Sequence, residues 1–475
     1  MPRHNHPVAH IPLAQRRGVR GALTVILVVL LAAGLGTAGA LGGPSMLHRF
    51  GMGRPASRAP DLTPPRLAIG PLSPDAPIPS AAGLSSALGG LVAVPQLGTA
   101  TGVVLDPVSG RALWSRNPAK ALVPGSTGKL LTAAAALLAL DPAARLTTRV
   151  VAGAAPDEVV IVGGGDPTLS TLPVGTDSVY PGAAKLDVLA AAVRTAHPGP
   201  IRSVGYDLGR YSGAVLAPGW QPADVPGGYI APIEPLTLDG GRSKPEEIDP
   251  PRSATPGLDA AKALAQRLGA DPATVRERGA PAGAAVLAEV RSPSIADLVA
   301  NALRISDNVL AEALAREVAL AKGVEPSFAG ASRAVLATLG GAGFDVSGVR
   351  MVDGSGLSTE DEVSAALLGQ IMAAAAGPGN QPRSARLRPL LDGLPVAGGD
   401  GTLDDRFVTG SSAPGRGYVR AKTGTLTGVS SLAGTVIDVD GRLLAFALMS
   451  NGTSPADSRP QLDAIAAALR TCGCR

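Results

Sequence analysis

The apolar run from Gly21 to Gly43, preceded by Arg16, Arg17 and Arg20, divides this chain before any other feature does. It is long enough to cross a bilayer as a helix. The arginines on its N-terminal side hold residues 1–20 in the cytoplasm as a basic tail and place everything after residue 43 outside. The other reading is a secretory signal cut after Ala38-Gly39-Ala40, which fits the small-residue cleavage pattern. Either way the expectation is an extracytoplasmic protein, anchored to the membrane through residues 21–43 or released. A buried core helix fits poorly, since it would start beside three arginines. Residues 44–83 contain Pro64-Pro65, Pro71, Pro74, Pro77 and Pro79 and little apolar material, so they read as a stiff linker.

The formal charge of +4 belongs to this leader, because residues 1–80 hold eight arginines against Asp61 and Asp75. The rest of the chain is slightly acidic, which excludes the basic surface that nucleic acid requires. Cys472 and Cys474 are the only cysteines. Export permits a disulfide, although one intervening residue makes a tight ring, and two thiols without a nearby histidine are too few for a structural zinc site. No metal and no organic cofactor is expected.

From residue 84 the sequence is folded in pattern. Segments 101–106 and 111–115 flank Pro107-Val-Ser-Gly110 and predict a hairpin. The Ala- and Leu-rich stretch 127–140 predicts a packed helix that Asp141-Pro142 ends. Further helices are expected over 185–194, 258–268, 295–305, 309–320 and 462–469, and strands over 158–162 and 284–290. Two terminal strands, 430–439 and 443–449, meet at Asp440-Gly441, a strong hairpin signal. The class is α+β, with helices covering an antiparallel terminal sheet that the hairpin near residue 101 joins. The expected division is a catalytic domain in two parts, 84–150 and 286–475, separated by an inserted domain over 151–285.

Scarcity narrows the chemistry. Of five histidines only His197 lies in the folded body, in a turn-like His197-Pro-Gly, so a Ser-His-Asp hydrolase is excluded for practical purposes. Lysines number seven in the sequence, at 120, 129, 185, 244, 262, 322 and 422. Ser126-Thr-Gly-Lys129 puts a hydroxyl and an amine one helical turn apart on one face, where the amine can take the serine proton if burial lowers its pKa. Taken alone, Ser126 reads equally as a helix cap and Lys129 as a solvated side chain. Ser306-Asp-Asn308 lies between two helical patterns, where Ser306 and Asn308 can face one groove, or where Ser306 or Asp307 simply caps a helix. Lys422-Thr-Gly-Thr425 opens the terminal sheet. There Gly424 leaves room for a ligand along the strand, or marks a bulge on a charged edge.

The three together, in this order, resemble the Ser-x-x-Lys, Ser-Asp-Asn and Lys-Thr-Gly set of active-site-serine penicillin-binding proteins and class A β-lactamases. From about Thr101 to Leu469 the chain is similar to the D-alanyl-D-alanine carboxypeptidases of the low-molecular-mass class C penicillin-binding proteins, peptidase family S13. Pro124 to Thr132 resembles the family's nucleophile helix, and Gly163-Gly-Gly-Asp-Pro-Thr-Leu169 its Gly-rich motif. Pro218-Gly-Trp220, Tyr229-Ile-Ala-Pro232 and Met351-Val-Asp-Gly-Ser-Gly-Leu357 also look like the family. The long interval from Ser126 to Ser306 suits an inserted domain and is far longer than in class A β-lactamases.

The resemblance implies a penicillin-binding-protein fold and cleavage of peptidoglycan peptides ending in D-Ala-D-Ala, by carboxypeptidase and also endopeptidase action. It implies Ser126 as nucleophile, Lys129 as its base, Ser306 and Lys422 as the proton relay, and Asn308 as a ligand for the acyl-side amide. Thr423, Gly424 and Thr425 would bind substrate, with N–H groups of Ser126 and Thr425 as the oxyanion hole and β-lactams as covalent inhibitors. Asp307 is read as structural, and Asp353 and Ser355 as turn residues. A serine β-lactamase or esterase of the same fold, or a noncatalytic wall-binding scaffold, are the alternatives.

Overall fold

The computed structural model describes residues 72, 73 and 75–473. The expected basic tail, the apolar run 21–43 and most of the 44–83 linker lie outside the described residues. The end of that linker is not free of the body. Ala76 is buried, and its carbonyl accepts from Arg442 Nη1 at 3.2 Å. A helix also begins at Ala81, capped by Ser80, whose hydroxyl accepts from Gly83 N, so 81–83 are helical rather than extended.

In chain order the elements are α1 (Ala81–Val92), β1 (Thr99–Leu105), β2 (Ala112–Arg116), β3 (Ala121–Leu122), α2 (Lys129–Ala139), β4 (Arg145–Ala152), β5 (Glu158–Val162), α3 (Leu186–Ala196), β6 (Ser203–Asp207), α4 (Pro256–Leu268), β7 (Arg276–Glu277) and β8 (Val286–Ser294). There follow α5 (Ile295–Arg304), α6 (Asn308–Ala321), α7 (Phe328–Gly341), β9 (Val363–Ser364), α8 (Ala365–Ala376), α9 (Pro382–Leu387), α10 (Pro389–Asp392), β10 (Arg420–Leu426), β11 (Val429–Ile437), β12 (Leu443–Asn451) and α11 (Pro455–Thr471). Among the described residues no helix is long and apolar enough to cross a membrane.

The main sheet has the order β10-β11-β12-β1-β2 and is antiparallel throughout, so the first hairpin pairs with the last strand. Strand alternation sends neighbouring residues to opposite faces. Ala445, Ala447 and Met449 of β12 join a core with α2, α5, α6, α7 and α8, while Leu444, Phe446 and Leu448 pack under α1 and α11. Because both faces are covered, β11 and β12 are buried almost continuously, and β12 reads as a nearly unbroken apolar run instead of an alternating one. Small residues set the spacing. A Cβ on Gly369 of α8 would stand 2.5 Å from Val103 Cγ1, so only glycine lets this helix lie so close on β1.

A second sheet, β7-β6-β5-β4-β8, has its own core against α3 and α4. Its strands run from Arg145 to Ser294, which is wider at both ends than the inserted segment expected over 151–285. The entering strand β4 and the leaving strand β8 pair antiparallel, whereas β5–β6 and β6–β7 are parallel. The chain therefore enters and leaves this second sheet along adjacent strands. The exit is closed by a capping box in which Ser294 and Asp297 satisfy each other's backbone at the start of α5.

Candidate active site

Three elements bring the sequence-predicted residues to one cavity. The tight turn Gly125–Gly128 enters α2 with Ser126 on its rim. No side chain caps this helix, so Ser126 is not spent on a cap, and Lys129 is 1% exposed, so it does not reach solvent. Lys129 Nζ donates to Ser126 Oγ at 2.9 Å, to the Ser355 carbonyl at 2.9 Å and to Asn308 Oδ1. Asn308 is held by a second bond, from its Nδ2 to the Tyr229 carbonyl at 2.8 Å. Ser306 stands on the linker between α5 and α6 at φ 60°, a left-handed backbone that costs energy for a residue with a Cβ. That conformation aims its hydroxyl at Lys422, whose Nζ donates to Ser306 Oγ and to the Thr423 carbonyl, both at 2.9 Å.

Burial controls the two amines. It lowers Lys129 to about 8, against the opposing pull of Asp353, Asp307, Glu312 and Asp361. It holds Lys422 well below the ordinary lysine value, and the positive charges of Lys129 and Arg406 push it the same way. Roughly a tenth of Lys129 is therefore unprotonated near pH 7. A neutral amine 2.9 Å from a serine hydroxyl is a base placed to take its proton.

Close backbone approach does the rest. Strand β10 runs against the nucleophile turn, and Ser431 Oγ and Thr127 Oγ1 both donate to the Pro124 carbonyl, at 2.5 and 2.8 Å. A Cβ on Gly424 would meet Ser431 Oγ at 2.1 Å, Pro124 O at 2.4 Å and Ser126 N at 3.1 Å, and one on Gly125 would lie 3.0 Å from Thr425 N. The backbones that carry the Ser126 and Thr425 amides are thus in close contact here. We expect Gly424→Ala to push β10 off the turn. The variant should stay folded, with a stability loss of about 1–3 kcal/mol, while acylation by a β-lactam slows about 100-fold because the turn and strand are misaligned. Parallel denaturation and acylation measurements check both numbers.

The surrounding cavity holds about 870 Å³ and is lined by Ser126, Ser306, Asn308, Thr423 and Thr425 among others. Lys129 and Lys422 lie behind its wall. Thr423 Oγ1 is 2.8 Å from Thr402 Oγ1, and Thr425 Oγ1 accepts from Arg459 Nε at 3.3 Å.

Glu312 was not singled out from the sequence, and Asp353, Ser355 and Asp307, read there as turn or structural residues, support the site in ways the sequence did not specify. The Ser355 carbonyl is one of the three acceptors of Lys129, a backbone role that no side-chain pattern announces. Asp353 shapes the loop that presents it, accepting from Ser355 N at 3.0 Å, Gly356 N at 2.6 Å, Ser358 N at 2.7 Å and Trp220 Nε1 at 2.8 Å. Buried Glu312 accepts from Gly354 N through both oxygens at 2.9 Å, and burial beside Asp353 raises it to about 8. The Asp307 side chain is fully buried at the cavity wall. It caps α6 through Leu310 N at 2.8 Å, accepts from Tyr180 OH at 2.9 Å and Arg242 Nη2 at 2.6 Å, and those two cationic neighbours, Arg242 and Arg252, outweigh its burial and hold its carboxyl below the usual range.

Comparison with known proteins places this arrangement. The profile of the D-Ala-D-Ala carboxypeptidase 3 (S13) family matches residues 84–252 and 249–472. A carboxypeptidase of Mycobacterium tuberculosis is 46% identical over 432 residues, covering 90% of this chain and 92% of the relative. A D-alanyl-D-alanine carboxypeptidase of Actinomadura is 31% identical over 456 residues, covering 77% and 80%. The crystal structure of penicillin binding protein 4 from Haemophilus influenzae has the same fold, with a TM-score of 0.65 over 82% of this chain and 98% of that one at 21% identity. From residue 84 to residue 472 the chain belongs to the D-Ala-D-Ala carboxypeptidase (S13) family.

Proposed function

We propose that this protein is a penicillin-binding serine carboxypeptidase that removes the terminal D-Ala from peptidoglycan peptides ending in D-Ala-D-Ala, through an acyl-enzyme on Ser126. The observation that carries the reading is the buried amine of Lys129 on the Ser126 hydroxyl, with the Ser306–Lys422 pair and Asn308 facing the same cavity. Ser126 Oγ attacks the carbonyl carbon of the penultimate D-Ala and its proton passes to neutral Lys129. The oxyanion forms between the N–H groups of Ser126 and Thr425, whose backbones the Gly424 contact holds together. Collapse breaks the peptide C–N bond, and Ser306 gives a proton to the departing amine while Lys422 resupplies it. Asn308 orients the acyl-side amide, and the hydroxyls of Thr423 and Thr425 receive the terminal carboxylate. Water then cleaves the ester, so one hard hydrolysis becomes two easier steps.

A β-lactam follows the first half of this route and stays attached. Such a substrate lies outside the cytoplasm, which matches residues 21–43 read as a membrane anchor or export signal and the Pro-rich segment after them, up to the point where Ala76 joins the body, as its stalk. The test is release of D-Ala from a pentapeptide ending in D-Ala-D-Ala beside its D-Ala-L-Ala epimer. Rapid release from the first and roughly 100-fold less from the second is expected, since the epimer misplaces the carboxylate. Equal rates from both, or none from either, would remove the carboxypeptidase reading.

A further inference from the structure

A substrate carboxylate in this cavity needs a cation, and the cavity's cations are almost all committed. Arg242 and Arg252 are buried against Asp307. Arg406 is clamped by Asp463, with Nε donating to Oδ2 at 3.0 Å and Nη2 to Oδ1 at 2.5 Å. Lys422 is fully buried behind the wall, its amine directed to Ser306 and to the Thr423 carbonyl, in a place that disfavours its charged form. Arg459 is different. It lines the same cavity from the first turns of α11, it forms no ion pair among the described residues, and its one hydrogen bond runs from Nε to the Thr425 hydroxyl at 3.3 Å. Both terminal nitrogens of the guanidinium stay available beside the hydroxyls that meet the carboxylate.

We infer that Arg459 is a specificity-determining residue that anchors the free α-carboxylate of the substrate, in concert with Thr425. A guanidinium keeps its charge at every working pH and presents paired donors that match a carboxylate, which a desolvated ammonium in contact with Ser306 does not. Such an anchor favours chains that end one residue beyond the scissile bond over chains that continue or carry a neutral cap.

The inference rests on the carboxypeptidase reading, and the two fail differently. The full-length chain and its Arg459→Gln and Arg459→Lys variants are compared on a D-Ala-D-Ala peptide and its C-terminal amide, and on benzylpenicillin and its methyl ester, with acylation timed by intact mass. Loss of a charge-assisted contact should lower the acid-to-amide ratio of kcat/KM, and the acid-to-ester ratio of acylation rates, by about 10- to 100-fold in Arg459→Gln. Arg459→Lys should recover part of both ratios. Ratios that stay at the wild-type value, whether the absolute rates fall or not, overturn the anchor while leaving the carboxypeptidase intact. A wild-type chain inert to all four compounds overturns both.

Discussion

Intact Ser126→Ala protein exposed to benzylpenicillin is expected to gain no mass, whereas the wild-type chain should gain one drug molecule. D-Ala release from a pentapeptide should fall by about 10,000-fold or more in the same variant. The size of the loss follows from what Ser126 does in the structure. Its hydroxyl caps no helix, and it accepts a hydrogen bond from Lys129 Nζ at 2.9 Å. Alanine keeps the backbone N–H and the turn, so the oxyanion donors and the cavity remain, and only the nucleophile is lost. A thermal melt within about 2 °C of wild type would accompany the loss, since a half-buried hydroxyl released from one bond moves stability little. Mass gain by the variant at the wild-type rate would place the acylated residue elsewhere and undo the site.

The site was legible where it depended on rare side chains and local spacing. With seven lysines in the chain, two of them in Ser-x-x-Lys and Lys-Thr-Gly are conspicuous, and Ser126 and Lys129 needed only one helical turn to meet. Helix α2 was legible for a similar reason, since the dense Ala and Leu stretch has high propensity and packs closely on every side. The Asp440-Gly441 turn between β11 and β12 was equally plain. What stayed hidden depends on contacts between distant residues. Glu312 meets Gly354, and Trp220 meets Asp353, across stretches of chain that no local pattern connects. Arg459 is a lone arginine in a helix and has no motif to mark it. Helix α7, rich in Gly and Ala, lacks a clear polar face and is helical because α2 and α6 pack on it, a tertiary cause that local propensity does not carry. The parallel pairing of β5 with β6 is likewise set by the helix that crosses between them, not by either strand alone.

Replacing Lys129 by methionine, which fills similar volume without an amine, should lower the acylation rate by about 1,000- to 10,000-fold, the range expected for losing a general base. The wild-type chain also carries a pH signature that the variant lacks. The base works only when unprotonated, so acylation rises about tenfold per pH unit below about 8 and levels off above it. The same burial appears in stability with a defined sign. Lys129 titrates near 8 in the folded protein and near the model-compound value of 10.5 in the unfolded chain, so between these limits the unfolded chain binds more protons. Stability attributable to this residue is therefore absent below pH 8, rises between 8 and 10.5, and is complete above, by roughly 3 kcal/mol in all. Denaturant midpoints of wild type and Lys129→Met measured at pH 7 and pH 10 report that increment together with the smaller shift that loss of the Lys129 charge makes at Lys422. If the difference between the two proteins did not change from pH 7 to pH 10, and acylation stayed flat from pH 6 to pH 9, Lys129 would be charged throughout. A proton acceptor for Ser126 would then have to be found among the other groups on the cavity wall.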